Sequence, residues 1–168
     1  NSNALQIFTI SPKKFDFPLK HLKEEDAIKT KQLVQENNMN LFIHSSYLLN
    51  FCDTEKNKRN AKVYAEDLVV CEKLGGIGCV IHMGKKKSHQ TPDEALEAFV
   101  NNLKYVLDKY TGDSFMILET SAGQGNDIGT TIEKLAEIYH KFEGYKKRIR
   151  FCIDTCHIFA SGYDITKN

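Results

Sequence analysis

Residues 150–164 read RFCIDTCHIFASGYD, and the rest of the chain is organised around them. Phe151-Cys152-Ile153 is an apolar run of the kind that fills a buried strand. Asp154 stands at its end and His157 follows three residues later. A carboxylate and an imidazole at that spacing converge on one cation where the backbone turns. Carboxylate oxygen combined with imidazole nitrogen suits zinc, manganese or iron. Gly162-Tyr163-Asp164 marks the bend away. Taken alone, the stretch has a second reading, in which Asp154 caps a helix and His157 is an ordinary hydrogen-bonded histidine.

Working outward, three earlier stretches repeat the design. Leu41-Phe42-Ile43 runs into His44, the apolar run at 77–81 into His82, and Phe115-Met116-Ile117-Leu118 into Glu119. A further strand is expected near residues 5–9. Helical spacing predicts helices over residues 19–36, with Leu22, Ala27, Ile28 and Leu33 as its apolar positions, and over 57–74, 92–110 and 131–142. The pattern is strand, loop, helix, five times, with 35 to 38 residues between successive strand ends. Near-continuous apolar strands alternating with amphipathic helices imply a parallel sheet covered by helices. In a barrel, the C-terminal strand ends ring one mouth, and His44, His82, Glu119 and Asp154 all stand there. An open doubly wound sheet would instead gather its ligands at one switch point. The expected architecture is a single α/β domain over residues 1–168, a TIM (β/α)8 barrel of which about five β/α units are present. The missing strands are expected before Asn1 (one) and after Asn168 (two).

The bulk numbers fit that picture. A chain of 168 residues can bury a real core, and 41% hydrophobic with 27% charged residues is ordinary for a soluble domain. The formal net charge is +1, so any nucleic-acid binding has to come from local patches. No apolar run reaches membrane-spanning length and the N-terminus has no signal-peptide pattern, which predicts an intracellular protein with no membrane partner. Five cysteines, an odd number, argue for reduced thiols over a disulfide framework. Cys152 and Cys156 bracket Asp154 and are chemically competent soft ligands, but the place of Cys152 in the apolar run favours core packing for it.

Two His, one Glu and one Asp-x-x-His at four consecutive strand ends read as a metal site, because a core histidine has no reason to recur in that register. Burying Glu119 unpaired after a wholly apolar strand is costly, and a metal charge removes the penalty. A carboxylate can also bridge two ions, the arrangement that activates a water and clamps a phosphate. Lys85-Lys86-Lys87 reads either as a solvated turn or as a nonspecific phosphate contact. Tyr47-Leu48-Leu49 is either core or a wedge for a base stack. Gly123-Gln124-Gly125 is read as a tight loop letting backbone approach the site, its likeness to a phosphate cradle being weak.

HSSYLLN (44–50), IHMG (81–84), ETSAGQG (119–125) and CIDTCHIFASGYD (152–164) make the chain recognisable. It resembles the endonuclease IV family of apurinic/apyrimidinic (AP) endonucleases over essentially its whole length. The resemblance implies a trinuclear zinc centre, with Mn2+ as the alternative ion. It also implies a hydrolase that cuts the phosphodiester 5′ to an abasic site in double-stranded DNA and leaves a 3′-hydroxyl. On that resemblance His44, His82 and Glu119 match the ligands of the first zinc. Glu119 also matches the bridge to the second, positioning the attacking water, and Asp154 contributes to that second ion. His157 matches a ligand of the third. Tyr47 and Leu48 fall where the family inserts side chains at the abasic nucleotide, and Lys13 where some members place an inserted arginine. Met83, Lys85, Ser45 and Thr120 depart from the residues usual in the family, and four of the family's ligands fall beyond residue 168. The whole protein is expected to be a monomer. The 168 residues alone are expected to bind at most one metal tightly, to aggregate through exposed edge strands, and not to cut. Two other readings stand beside this one: a sugar isomerase or epimerase on a related barrel, which needs a small closed polyol pocket, and a truncated, non-catalytic DNA-binding fragment.

Overall fold

The apolar runs become five short strands, and the middle three end on the first polar side chain after the run, His44, His82 and Glu119. The structure, a computed structural model, describes residues 2–166. Strands β1 (Ala4–Phe8), β2 (Asn40–His44), β3 (Gly78–His82), β4 (Phe115–Glu119) and β5 (Ile149–Cys152) alternate with helices α1 (Glu24–Glu36), α2 (Asn57–Lys73), α3 (Pro92–Lys109) and α4 (Ile132–His140). Helix α5 (Thr155–Ala160) follows β5, and 3-10 turns occupy Pro18–Lys20 and Lys146–Arg148. All neighbours pair in parallel and lie in the order β1-β2-β3-β4-β5. Sequential order with a helix on each crossover is the wall of a (β/α) barrel, whereas a doubly wound sheet reverses its order. Among the described residues β1 and β5 do not pair with each other, so this wall is open.

Register assigns the two faces. His44 lies opposite Val80, two residues before His82; His82 lies opposite Glu119; and Glu119 lies opposite Cys152, two residues before Asp154. Every offset is even, and side chains alternate along a strand with a period of two. His44, His82 and Glu119 therefore share one face. The opposite face carries Leu41, Ile43, Cys79, Ile81, Met116, Leu118 and Ile149, all buried against the helices. Phe51, Tyr64, Phe99, Leu103 and Phe142 complete that core, each worth about 1.5–3 kcal/mol of transfer free energy. Tyr64 is fully buried, and its hydroxyl donates to the carbonyl of Cys79 at 2.8 Å. The longest helix, α3, starts with a capping box in which Thr91 and Glu94 satisfy each other's backbone N–H, followed by Pro92 in the first turn.

Two element boundaries differ from expectation. Helix α1 begins at Glu24, because Pro18 opens a separate 3-10 turn; Ala27 is buried, whereas Ile28 and Leu33 are exposed. Strand β5 ends at Cys152, so Ile153 lies beyond the last pair. Phe151 is packed edge-on against Tyr139 and remains partly exposed, as does Ile153. Cys152 stays outside the helix-covered core, on the face of Glu119. No helix among the described residues is long and apolar enough to cross a membrane.

Candidate metal centre

Strand tips bring the candidate ligands together. His44, His82 and Glu119 form one group of candidate ligands, and Glu119, Asp154 and His157 form a second, with the ligand atoms of each group within 4.8 Å of one another. Glu119 belongs to both, and its two oxygens face different histidines. Its Oε2 lies 3.1 Å from His44 Nε2 and 2.9 Å from His82 Nε2, while Oε1 lies 3.8 Å from His157 Nδ1. Two donors sharing one tetrahedral zinc are about 3.3 Å apart, so the first group is spaced for an ion.

Hydrogen bonding decides which imidazole nitrogens can ligate. His44 Nδ1 lies 2.7 Å from the carbonyl oxygen of Ser45, and His157 Nδ1 lies 2.6 Å from that of Thr120. A carbonyl only accepts, so both Nδ1 atoms carry the proton. Nε2 of a neutral His44 would then turn a lone pair toward a carboxylate oxygen. Two acceptors at 3.1 Å repel unless a cation, a proton or a metal ion, sits between them. Burial by itself raises the Glu119 carboxyl, but hydrogen bonds from His44 and His82 and their charge outweigh it and hold the group at about 2. The donor set is thus a deprotonated carboxylate with outward imidazole Nε2 atoms, which is the chemistry of a zinc or manganese site.

Asp154 caps a helix and also faces His157. Its Oδ1 accepts from the backbone N–H groups of Cys156 and His157 at 2.7 and 3.0 Å, capping α5, and its Oδ2 lies 3.9 Å from His157 Nε2. The first turn of α5 folds His157 back over Glu119, within reach of the Glu119–Asp154 group.

A groove of about 520 Å³ opens beside these groups, lined by Tyr47, Leu48, His82, Lys85, Gln124 and His157 among others. Leu49 takes the core role, while Tyr47 and Leu48 stay 48% and 51% exposed. The loop carrying exposed Lys13 is bound to the Tyr47 loop: Tyr47 N–H donates to the Pro12 carbonyl at 3.0 Å and Ser46 Oγ to that of Lys14 at 2.8 Å. The lysine run is not simply solvated. Lys85 pairs with Asp127 at 3.2 Å, Lys87 with Asp53 at 2.9 Å, and Lys86 donates to the Gln90 carbonyl at 3.1 Å. Gly84 sits at φ 102 against Asn50, whose Oδ1 would be 2.3 Å from any Cβ there. That close approach lets Asn50 bind both backbone groups of Lys85 and tie the two loops together.

Residues 3–167 match the family model described as a xylose isomerase-like TIM barrel. The chain belongs to the endonuclease IV family, AP endonuclease family 2. It is 33% identical to a putative endonuclease 4 of Acanthamoeba polyphaga mimivirus, covering 98% of this chain and 54% of that one. It is 36% identical to a probable endonuclease 4 of Symbiobacterium thermophilum, covering 95% of this chain and 57% of the relative. The chain thus spans a little over half the length of these relatives. The crystal structure of endonuclease IV from Thermus thermophilus superposes with a TM-score of 0.71 at 25% identity, covering 96% of this chain and 56% of that one. D-psicose 3-epimerase from Clostridium cellulolyticum reaches 0.76 over 97% and 57% of the two chains, at 16% identity, a likeness of fold alone.

Asp67 escaped the reading of the sequence, and Ser45 and Thr120 stood in it only as departures from the family pattern. Thr120 is fully buried and stitches the tips of β4 and β5: its N–H donates to the Cys152 carbonyl at 3.0 Å, and its hydroxyl accepts from Asp154 N–H at 3.0 Å. Ser45 and Asp67 are joined by a short hydrogen bond directly behind His44. The available signal was Asp67 itself, a carboxylate on the helix face that carries Val63, Tyr64, Val70 and Cys71.

Proposed function

We propose that this chain supplies metal ligands and substrate-mouth residues of a zinc-dependent AP endonuclease that hydrolyses the phosphodiester 5′ to an abasic site in double-stranded DNA, leaving a 3′-hydroxyl. The carrying observation is Glu119, whose two oxygens face two separate groups of candidate ligands. His44 and His82 with Glu119 would hold one ion, and Glu119, Asp154 and His157 would hold a neighbouring one. Bound there, the ions would supply Lewis acidity toward a phosphate and a nucleophilic water at neutral pH. The residues of the chain prepare the site. Ser45 and Thr120 carbonyls hold the Nδ1 protons of His44 and His157, which leaves Nε2 as the nitrogen that would ligate once an ion displaces its proton, and Glu119 stays ionised across the physiological range.

Tyr47 and Leu48 would enter the gap left by a missing base, where unstacking has already been paid for by the lesion, and Lys13 on the adjoining loop would meet a phosphate. Tyr47 and Leu48, exposed beside the candidate ligands, suit insertion into a stacked polymer better than binding of a small polyol. Incision of an abasic-site duplex by the whole protein, measured with zinc content before and after chelation, tests the reading. Chelator-sensitive cutting with a 3′-hydroxyl product is expected. Epimerisation of a ketose without incision would overturn it.

A further inference from the structure

Behind the ligands, one carboxylate joins two strand tips. Asp67 on α2 is fully buried, although the helix around it turns apolar side chains to the sheet. Its two oxygens are taken by two hydroxyls. Thr9 Oγ1, just past β1, donates to Oδ1 at 2.6 Å, and Ser45 Oγ, just past β2, donates to Oδ2 in a short hydrogen bond. Ser45 follows His44 directly and is held at three points. Its hydroxyl binds Asp67, its N–H donates to the Val80 carbonyl at 2.9 Å, and its own carbonyl accepts from His44 Nδ1 at 2.7 Å. Packing alone gives no reason to bury a carboxylate there, since an apolar residue would fill the position without the desolvation cost.

We infer that Asp67 is a positioning residue for His44: through the Ser45 hydroxyl it orients the carbonyl that keeps His44 Nδ1 protonated and directs Nε2 at Glu119. This rests on the metal site proposed above. Residues that orient a ligating histidine from behind it change metal affinity by about 10- to 100-fold. Thr9 shares the same carboxylate but has no hydrogen bond toward His44, its neighbour Phe8 only packing against the His44 ring at 5.0 Å, which makes it the internal control for the hydrogen-bonded route.

The test compares Asp67→Asn, Ser45→Ala and Thr9→Val with the unaltered protein. Zinc affinity is read by competition with a chromophoric chelator, and the His44 tautomer by nitrogen-15 NMR of the metal-free protein. Asp67→Asn and Ser45→Ala are each expected to lose about 10- to 100-fold in zinc affinity and to mix the His44 tautomers, with the double variant no worse than the poorer single. Thr9→Val is expected to keep both readouts. Unchanged affinity and tautomer in Asp67→Asn would overturn the inference. So would an equal loss in Thr9→Val and Ser45→Ala, which would mean a generally loosened fold. His44→Ala separates this inference from the one beneath it. If that variant binds zinc normally, the metal site itself is wrong; if it loses zinc while Asp67→Asn does not, only the positioning role falls.

Discussion

The ring of Tyr47 lies parallel to the imidazole of His82, at an interplanar angle of 6° with centroids 5.1 Å apart. The same ring meets His44 edge-on at 5.3 Å. A side chain read as a DNA wedge is therefore also a wall of the metal site. Aromatic pairs contribute about 0.5–1.5 kcal/mol beyond burial, which corresponds to roughly 2- to 10-fold in an equilibrium constant. Tyr47→Ala is expected to weaken zinc binding by that factor, and Tyr47→Phe to preserve it, in chelator competition. A residue acting on DNA alone would leave zinc affinity untouched.

Sharing of Glu119 between two groups makes the ligand variants unequal. Glu119→Gln is expected to weaken both groups, His44→Ala and His82→Ala only the first, and His157→Ala only the second. Each loss should exceed the roughly 100-fold that changes behind the ligands can cost. Calorimetric titration with elemental analysis reads the number of sites and their affinities. Full occupancy in Glu119→Gln would show that the carboxylate bridges nothing.

Two buried carboxylates pull the stability of the metal-free protein in opposite directions with pH. Glu119 is held at about 2 against an ordinary 4.5, so the folded state binds fewer protons than the unfolded chain between those values, and stability is lost as pH falls through them. Burial pushes Asp67 up to about 6 from 3.8, against the hydrogen bonds from Ser45 and Thr9, so the folded state holds a proton the unfolded chain has released. Stability from that group falls as pH rises from about 4 to 6. Each effect is on the order of 3 kcal/mol at 1.36 kcal/mol per unit. Denaturant titrations with a chelator present, from pH 2 to 7, should show a maximum near pH 4 to 5. Asp67→Asn should remove the fall on the neutral side. A wild-type curve that climbs steadily from pH 4 to 6 would contradict this.

Among the described residues both outer strands pair on one side only. Leu5 on β1, Phe151 on β5, and Ile28 and Leu33 on α1 are exposed. Unpaired strand edges beside apolar side chains recruit other chains. The 168-residue chain by itself is expected to associate in a concentration-dependent way, visible by sedimentation velocity, and the combined Leu5→Lys and Phe151→Lys variant to associate less. A single monomeric species across a hundredfold concentration range would refute this.

Where the candidate ligands sit was legible from the chain. A buried parallel strand is a short apolar run, so the first polar residue after it marks the strand end, and His44, His82 and Glu119 were found that way. The weaker calls lay where local pattern is a poor guide: the start of α1 behind Pro18, and β5, whose apolar residues reach past its last pair. What those ligands do to one another was decided by tertiary structure. Even register offsets put them on one face, the Ser45 and Thr120 carbonyls choose the tautomers, and Asp154 divides its oxygens between a helix cap and His157. The contacts of Tyr47 with His82 and of Asp67 with Thr9 join residues 35 and 58 positions apart. Periodicity describes each strand and helix alone, and only their packing sets the distance between a hydroxyl on one and a carboxylate on another.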